Sequence, residues 1–328
     1  MAKGSCPRCG SMAFYPKKRA KRIYPNMRAY KHVEQAKLSA FPVYKAGMLK
    51  VIALDGYDKS PSYGMQVAIA GTVVECPPVY VFGIRGYQKT NEGLKAISEF
   101  YAEKLNKELG RKMMVPEKYD FNAKKSDFEK TFERITEFRA MVQTQPKKIG
   151  LKKKPETVEI PITGKDKKTA FDYAISILGK EINMKELFAE GDYIDVIGIT
   201  KGKGYQGPVK RFGIKIQIRK AKGHRRMPGS LGAWHPARVL YTVAMGGQLG
   251  YQRRTELNKQ IIKLGENGKE ATPAGGFTNY GEIAKEYAII KGSLPGPKKR
   301  MILIRGALRS NKSAPAPKII ELRLEGQN

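Results

Sequence analysis

The sequence lacks acidic residues over one long stretch, residues 196–255, which we call the acid-free stretch. Its sixty residues contain no Asp or Glu, but they contain thirteen Lys or Arg and eleven Gly. The thirteen like charges repel one another, and the stretch contains few large apolar side chains. We therefore predict that it does not fold alone as a compact unit. A bound polyanion would neutralise it, and the glycines would let the backbone approach that polyanion closely.

Long apolar runs and cysteines are also scarce. No run approaches the ~20 residues of a membrane-spanning helix, and the chain does not open on a signal-peptide segment, so we predict a cytosolic protein with no membrane partner. Three cysteines cannot build a disulfide framework. Cys6 and Cys9 resemble half a zinc site, which Cys76 and His32 could complete, but we favour a reduced pair without metal.

The net charge narrows the class of partner. The chain contains sixty-two Lys and Arg but only thirty Asp and Glu, which gives a formal net charge of +32 and a pI near 9.9. This excess favours nucleic acid over an anionic membrane or a merely solvated surface. The charge is also segregated: residues 1–33 hold nine basic residues and no acid, whereas residues 91–140 hold eleven basic and ten acidic residues. We therefore expect one side to face RNA and the other to face solvent.

The sequence does not show a catalytic constellation. Two of its three histidines lie in the acid-free stretch, without a neighbouring carboxylate, and carboxylates that could hold Mg²⁺ are not clustered there. Residues 202–207 match the dinucleotide pattern GxGxxG, but Pro208 follows at once and no acid stands at the ribose-reading offset. We therefore predict no catalytic residue, no metal, no cofactor and no enzymatic activity.

The pattern of apolar residues predicts a mainly β fold with α insertions. Short Val- and Ile-rich runs separated by turn residues are typical of antiparallel strands, and a small closed barrel is the economical architecture. A loop projecting from the globule is predicted at 219–238. Helices are predicted at 91–110 and 169–178, and strands at 47–54, 67–74, 79–84, 138–145, 157–162, 192–200, 214–219, 286–291, 299–305 and 319–324.

These elements suggest a division of the chain into six parts. They are a basic N-terminal extension (1–40), a first barrel part (41–90), an α-rich insertion (91–145), barrel strands with a helix (146–200), a basic glycine-rich central finger (201–258) and C-terminal barrel strands (259–328).

The only tryptophan, Trp234, lies between Gly232 and His235-Pro236, in a basic loop with few large apolar neighbours. A lone Trp is usually a core residue, but here we predict an exposed ring that stacks on a base or fills an RNA crevice. The predicted RNA contacts are Lys17, Lys18, Arg19, Lys21, Arg22, Lys201, Lys203, Tyr205, Gln206, Lys210, Arg211, Arg219, Lys220, Lys222, His224, Arg225, Arg226, Trp234, His235, Arg238, Arg253 and Arg254.

Several motifs resemble one known family, the universal large-subunit ribosomal protein three in its archaeal/eukaryotic form. The segments 13–20, 232–236 and 298–300 are similar to it, and so is a longer pattern of fixed positions: Phe188, Asp195, Gly198, Thr200, Gly202-Lys203-Gly204, Gly207 and Arg211. The Cys6/Cys9 pair departs from the family pattern.

The resemblance implies a translation-factor-like β-barrel outside the large subunit, with an N-terminal extension and a central finger that enter the rRNA. The finger tip would approach the peptidyl transferase centre without catalysing. The implied partners are large-subunit (23S-type) rRNA, neighbouring ribosomal proteins and proteins at the factor-binding region, and early binding would nucleate assembly. The alternatives are a non-ribosomal RNA-binding protein, an RNA-processing enzyme and a dehydrogenase-like protein.

Overall fold

The computed structural model describes residues 10–116, 118–309, 315 and 317–324. These residues form two compact units. The basic unit comprises Ile199–Arg254 with the N-terminal residues up to Ile23, and the sheet unit comprises Tyr24–Gly198 with the residues from Thr255 onward. Across the described ranges, no helix has the length and apolar character needed to cross a bilayer.

Strands dominate the described residues, so the prediction of a mainly β fold is confirmed. The α-helices are α1 (Phe121–Lys130), α2 (Lys167–Ile177) and α3 (Pro208–Phe212), and short 3-10 helices lie at Lys107–Arg111, Phe132–Arg134, Met184–Glu186 and Gly268–Ala271. The strands are β1 (Lys37–Leu38), β2 (Ala40–Leu54), β3 (Gln66–Glu75), β4 (Val79–Thr90), β5 (Gly93–Tyr101), β6 (Glu137–Gln143), β7 (Thr157–Thr163), β8 (Glu181–Ile182), β9 (Tyr193–Ile199), β10 (Tyr205–Gln206), β11 (Gly247–Gln248), β12 (Arg253–Gly265), β13 (Tyr287–Lys291), β14 (Met301–Gly306) and β15 (Lys318–Arg323).

The larger sheet is built on the long strand β2. Its order is β14-β9-β12-β13-β3-β2-β15, and β14 also pairs with β2, so the path through six strands returns to its start. Phe41 lies opposite Ile304 and Val43 opposite Ile302, and all four side chains are buried. Burial on both faces explains why these strands read as nearly continuous apolar runs.

The second sheet has the order β1-β7-β6-β4-β5, with β8 also paired to β4. Helices α1 and α2 contribute Phe128 and Phe171, whose rings stack with centroids 5.7 Å apart. Helix α2 begins with a capping box between Asp166 and Thr169. Both sheets and both helices contribute to one hydrophobic core, which explains how these short elements remain stable.

The helix predicted at 91–110 is wrong. Residues 93–101 form β5, which pairs with β4 from Thr90↔Gly93 to Gly83↔Tyr101 and buries Phe100. The apolar residues do recur at helical spacing, but pairing with β4 satisfies the backbone and decides the outcome. Two further elements are not predicted from the sequence. They are β12, which is largely polar, and α1, whose first turn is capped by Asp120.

One buried ion pair fixes the chain within the sheet unit. The Asp195 carboxylate accepts hydrogen bonds from Arg305 Nη2 at 3.1 Å, from the Asn258 amide at 3.1 Å and from the Leu308 amide at 3.2 Å. Arg305 also donates to the carbonyl of Ala29. Burial of the two charges is therefore tolerated because each neutralises the other and the carboxylate oxygens are hydrogen-bonded.

Candidate nucleic-acid interface

The basic unit does not contain a single acidic residue. Met1–Ile23 holds seven Lys or Arg and Ile199–Arg254 holds thirteen, twenty in all. The other forty-two Lys and Arg belong to the sheet unit together with all thirty Asp and Glu. Ion pairs such as Arg85–Glu99, Lys148–Glu181 and Arg305–Asp195 join residues of the sheet unit. The basic unit has no carboxylate side chain of its own with which to neutralise its charge.

The short helix α3 forms the base of the basic unit. Pro208 occupies its first turn, where a missing N–H costs nothing, and Gly213 ends it in the left-handed conformation at φ 67°. The Gly213 amide donates to the Val209 carbonyl at 2.9 Å. Phe212, in the last turn, is only 5% exposed, and it anchors the helix in its surroundings.

The two ends of the acid-free stretch are tied together at this base. Strand β10 pairs with β11, and the Lys203 amide donates to the Leu249 carbonyl at 3.0 Å. Gly250 has φ 70°, and a Cβ there would lie 2.1 Å from the carbonyl oxygen of Lys201. Glycine is therefore required at position 250 for the two chain segments to lie side by side.

The N-terminal arm, residues 10–23, supplies the aromatic contacts that the acid-free stretch lacks. The Tyr15 ring lies 6.0 Å from Phe212 and 6.1 Å from Tyr241, and Arg254 stacks 4.7 Å from Phe14. The Ala20 amide donates to the carbonyl of Tyr251 at 2.8 Å. The stretch therefore packs with the arm rather than alone, which the sequence did not reveal because the two segments are far apart along the chain.

Arg211 points into the unit rather than towards solvent. Its Nε donates to the Gln248 carbonyl at 3.1 Å, and its Nη1 donates to the carbonyls of Met245 at 2.9 Å and Gly246 at 3.4 Å. Its Nη2 reaches the Lys17 carbonyl at 3.5 Å. The guanidinium thus binds backbone oxygens of both the returning segment and the arm.

Lys17 shows the cost of gathering like charges. Its Nζ lies 5.0 Å from the centre of the Phe212 ring. Burial, and then the charges of Arg211 and Arg254, lower the pKa of the Lys17 ammonium. An anion beside this group would reverse the second effect, because an opposite charge favours the ionised form.

Beyond α3 the acid-free stretch is irregular. From Gly213 to Gly246, no residue belongs to a helix or strand. The strand predicted at 214–219 is therefore wrong, because its alternating pattern has no partner strand: Ile218 is 73% exposed. Local hydrogen bonds shape the segment instead, such as the Gln217 amide donating to the Arg225 carbonyl at 2.9 Å. The irregular conformation predicted for 219–238 is confirmed.

Trp234 is 83% exposed, which confirms the predicted exposure of its ring. Tyr205 is also exposed, whereas Phe212 is buried. Among the other predicted contacts, Lys17, Gln206, Arg211, Arg253 and Arg254 are half-buried. The exposed ones are Lys18, Arg19, Lys21, Arg22, Lys201, Lys203, Lys210, Arg219, Lys220, Lys222, His224, Arg225, Arg226, His235 and Arg238.

The structure offers no support for a zinc site at Cys76. Its Sγ lies 3.3 Å from the Met184 sulfur inside the core, and burial raises the pKa of the thiol. Cys6 and Cys9 lie outside the described residues. Within the described ranges, no group of three or more His, Cys, Asp or Glu side chains is arranged to hold a metal ion.

Comparison with known proteins gives a consistent result. The family model described as "Ribosomal protein L3" matches residues 1–327. A Methanococcus aeolicus protein named "Large ribosomal subunit protein uL3" is 48% identical over 93% of this chain and 92% of its own length. Proteins of the same name from Methanocaldococcus jannaschii (47% identical, 92% and 91% covered) and Methanosphaera stadtmanae (45% identical, 95% and 95% covered) are similar along nearly their whole length.

Proposed function

Because the chain belongs to the ribosomal protein L3 family, we propose that it is a structural constituent of the large ribosomal subunit that binds large-subunit rRNA. The relatives carry the name of a large-subunit protein and come from archaea, which supports a cytoplasmic, non-enzymatic role for this chain. The observation that carries the proposal is the basic unit itself, in which twenty cationic side chains stand without one carboxylate.

Binding follows from neutralisation of phosphates. Exposed side chains such as Lys201, Lys203 and Lys210 replace counterions condensed on the RNA, and release of those ions drives association. Affinity then falls with salt, with a log–log slope of about −0.7 to −0.9 for each phosphate contacted. Specificity arises from the shape of folded RNA and from its single-stranded elements rather than from groove reading.

The central segment 201–258 acts as a finger that penetrates the rRNA, and residues 1–40 act as a basic N-terminal extension. The tip, 232–236, approaches the peptidyl transferase centre, where Trp234 stacks on a base or fills a crevice. The exposure of Trp234 supports this role, because an apolar ring of this size is seldom left in water without a partner. We expect the tip not to catalyse, because its histidine, His235, has no carboxylate in the basic unit to orient it.

We expect the sheet unit to lie on the outside of the subunit. The closed path through six paired strands supports a barrel of the translation-factor type, built from residues 41–90, 146–200 and 259–328. The segment 91–145 is an insertion on the solvent side. Neighbouring ribosomal proteins and proteins at the factor-binding region contact this unit, and early binding of the protein helps to nucleate subunit assembly.

Co-sedimentation tests the proposal. The native protein is followed with large ribosomal subunits through sucrose gradients, before and after a high-salt wash. We expect it to stay with the subunit at high salt, because phosphates buried in folded RNA are screened less than exposed ones. Complete release would contradict an integral role and would indicate a generic polyanion binder with similar affinity for any RNA.

A further inference from the structure

We propose that Arg211 is a positioning residue that holds the N-terminal arm against the finger base, by which we mean α3 together with the paired strands β10 and β11. We also propose that the adjacent Lys210 is the residue that contacts the RNA backbone. The Lys210 part rests on the proposed function, whereas the Arg211 part concerns the protein alone. Two neighbouring cations of one short helix would therefore have different tasks.

The hydrogen bonds of Arg211 carry the first half of the inference. A guanidinium has five N–H donors and no acceptor. Here the Nε and Nη1 groups are directed at the carbonyls of Gln248, Met245 and Gly246, and Nη2 lies towards that of Lys17. A bidentate phosphate contact needs two parallel N–H groups directed at the ligand, and in Arg211 these groups already donate to backbone carbonyls.

Close packing keeps the guanidinium in place. Its carbon lies 5.1 Å from the centre of the Phe212 ring, and a Cβ at Gly247 would approach within 3.0 Å of it. The backbone at position 247 therefore lies directly against the charged head. A rotation of Arg211 towards solvent would leave the carbonyls of 245, 246 and 248 without their donor, which is costly in a partly buried site.

Lys210 has the opposite environment. It is exposed, and no hydrogen bond or ion pair engages its ammonium within the described residues. Successive side chains of a helix point about 100° apart, so a helix that turns Arg211 inward directs Lys210 away from the same contacts. Its three N–H donors remain available for phosphate oxygens.

The geometry links the arm to the finger base. Two backbone groups of the arm bond to the rest of the basic unit. The Lys17 carbonyl accepts from Arg211, and the Ala20 amide donates to the Tyr251 carbonyl. Loss of the guanidinium removes the first of these links and the donor for three carbonyls of the returning segment. We expect the base to open more often while the number of phosphates contacted in the bound state stays the same.

The test compares two full-length variants, Arg211→Gln and Lys210→Gln, which remove one positive charge each. Hydrogen exchange of the free protein is read at the Lys203 and Leu249 amides, which bond across the base. Binding to deproteinised large-subunit rRNA is measured over a range of salt concentrations. Arg211→Gln should speed exchange and weaken binding by about tenfold with an unchanged salt slope, whereas Lys210→Gln should reduce the slope by about 0.7–0.9 and leave exchange unchanged.

Two further variants separate geometry from charge. Arg211→Lys keeps the positive charge but loses the planar guanidinium with its divergent N–H donors. The Lys203 and Leu249 amides should therefore exchange as fast in this variant as in Arg211→Gln. Gly247→Ala should speed exchange for two reasons, displacement of the guanidinium and strain of the backbone at its φ of 156°, so its effect should add only in part to that of Arg211→Gln.

The outcomes discriminate clearly. A reduced slope with unchanged exchange in Arg211→Gln, or exchange restored to the wild-type rate by Arg211→Lys, would overturn the positioning role. If neither substitution changes RNA binding but Arg211→Gln still speeds exchange, the positioning role stands and the Lys210 contact is overturned. If the wild-type protein itself does not bind the rRNA, the proposed function fails. Should Arg211→Gln not fold, the exchange of Arg211→Lys decides the question.

Discussion

The basic unit and the sheet unit solve the problem of charge in opposite ways. The sheet unit carries forty-two Lys and Arg and thirty Asp and Glu, and its ion pairs include the buried pair of Asp195 and Arg305. The basic unit carries twenty cations and no acid, and its inward-facing Arg211 is satisfied by carbonyl oxygens. One unit neutralises much of its charge internally, while the other requires anions from elsewhere.

The difference extends to packing. The hydrophobic clusters found in the described residues consist entirely of sheet-unit side chains. The basic unit instead has a few ring contacts around Phe212 and a long irregular segment whose side chains face solvent. Hydrophobic packing is thus concentrated in the sheet unit, whereas the basic unit exposes most of its charged side chains to solvent.

The largest effect should come from breaking charge neutralisation inside the sheet unit. Asp195→Ala leaves the buried Arg305 guanidinium unpaired and removes the acceptor of two amides, so the free energy of unfolding should fall by about 3–5 kcal/mol. Urea denaturation measures this loss. Asp58→Ala is the control, because Asp58 is exposed in the same unit, and its substitution should cost less than about 0.5 kcal/mol. If both substitutions lower the free energy of unfolding equally, the buried ion pair would not be a special source of stability in the sheet unit.

The next effect concerns RNA rather than stability. Replacing Lys201, Lys203 and Lys210 together by Gln should weaken rRNA binding by roughly tenfold to a hundredfold and flatten the salt slope by about 2–3, since three phosphate contacts are lost. Filter binding across a salt series measures both quantities.

The matched control for that triple substitution moves the same charge change to the sheet unit. Lys95, Lys104 and Lys118 are exposed there, and their replacement by Gln should leave the slope unchanged. If both triple variants flatten the slope equally, RNA binding would depend on net charge alone and the contrast between the units would lose its functional meaning.

How much of this contrast could be predicted from the sequence depends on how local each cause is. Strands rich in Val and Ile, such as β3 and β13, and the exposure of Trp234 follow from neighbouring residues, and they were predicted. Features that depend on residues far away in the sequence were not predicted. Residues 93–101 form a strand because β4 lies beside them, whereas residues 214–219 do not form one because no strand pairs with them. The inward turn of Arg211 belongs to the second kind, since its acceptors lie more than thirty residues away.

A smaller effect should appear on acidification, and only in the sheet unit. Burial opposes ionisation of Glu181, but hydrogen bonds from Lys148 and Gln145 outweigh it, so the pKa of this carboxyl lies below its ordinary value of 4.5. A depressed pKa in the folded state stabilises the protein above pH 4.5, and this stabilisation is lost as the pH falls through the folded-state value.

Glu181→Gln should therefore lower the free energy of unfolding at pH 7 by at most about 1 kcal/mol and should cost progressively less below pH 4.5. Urea titrations at several pH values measure the difference from wild type. Amide exchange in the basic unit, which has no carboxylate to protonate, should not respond to the same substitution. A cost that stays constant with pH would contradict the assigned ion pair with Lys148.

The smallest effect on stability, and the clearest contrast between the units, is expected for Trp234→Ala. The ring is 83% exposed, so its removal should change the free energy of unfolding by less than about 0.5 kcal/mol. Phe128→Ala is the control in the sheet unit: its fully buried ring stacks on Phe171, and its loss should cost about 3–5 kcal/mol.

The same tryptophan should nonetheless matter once RNA is bound. It is the only one in the chain, so its fluorescence reports the tip directly: emission should be typical of a solvated indole in the free protein and should shift to the blue on binding to deproteinised large-subunit rRNA. A substantial loss of stability in Trp234→Ala would identify the ring as a packing residue. Emission that stays unchanged on binding would place the tip outside the RNA, and the basic unit would then bind phosphates without burying its most exposed aromatic side chain.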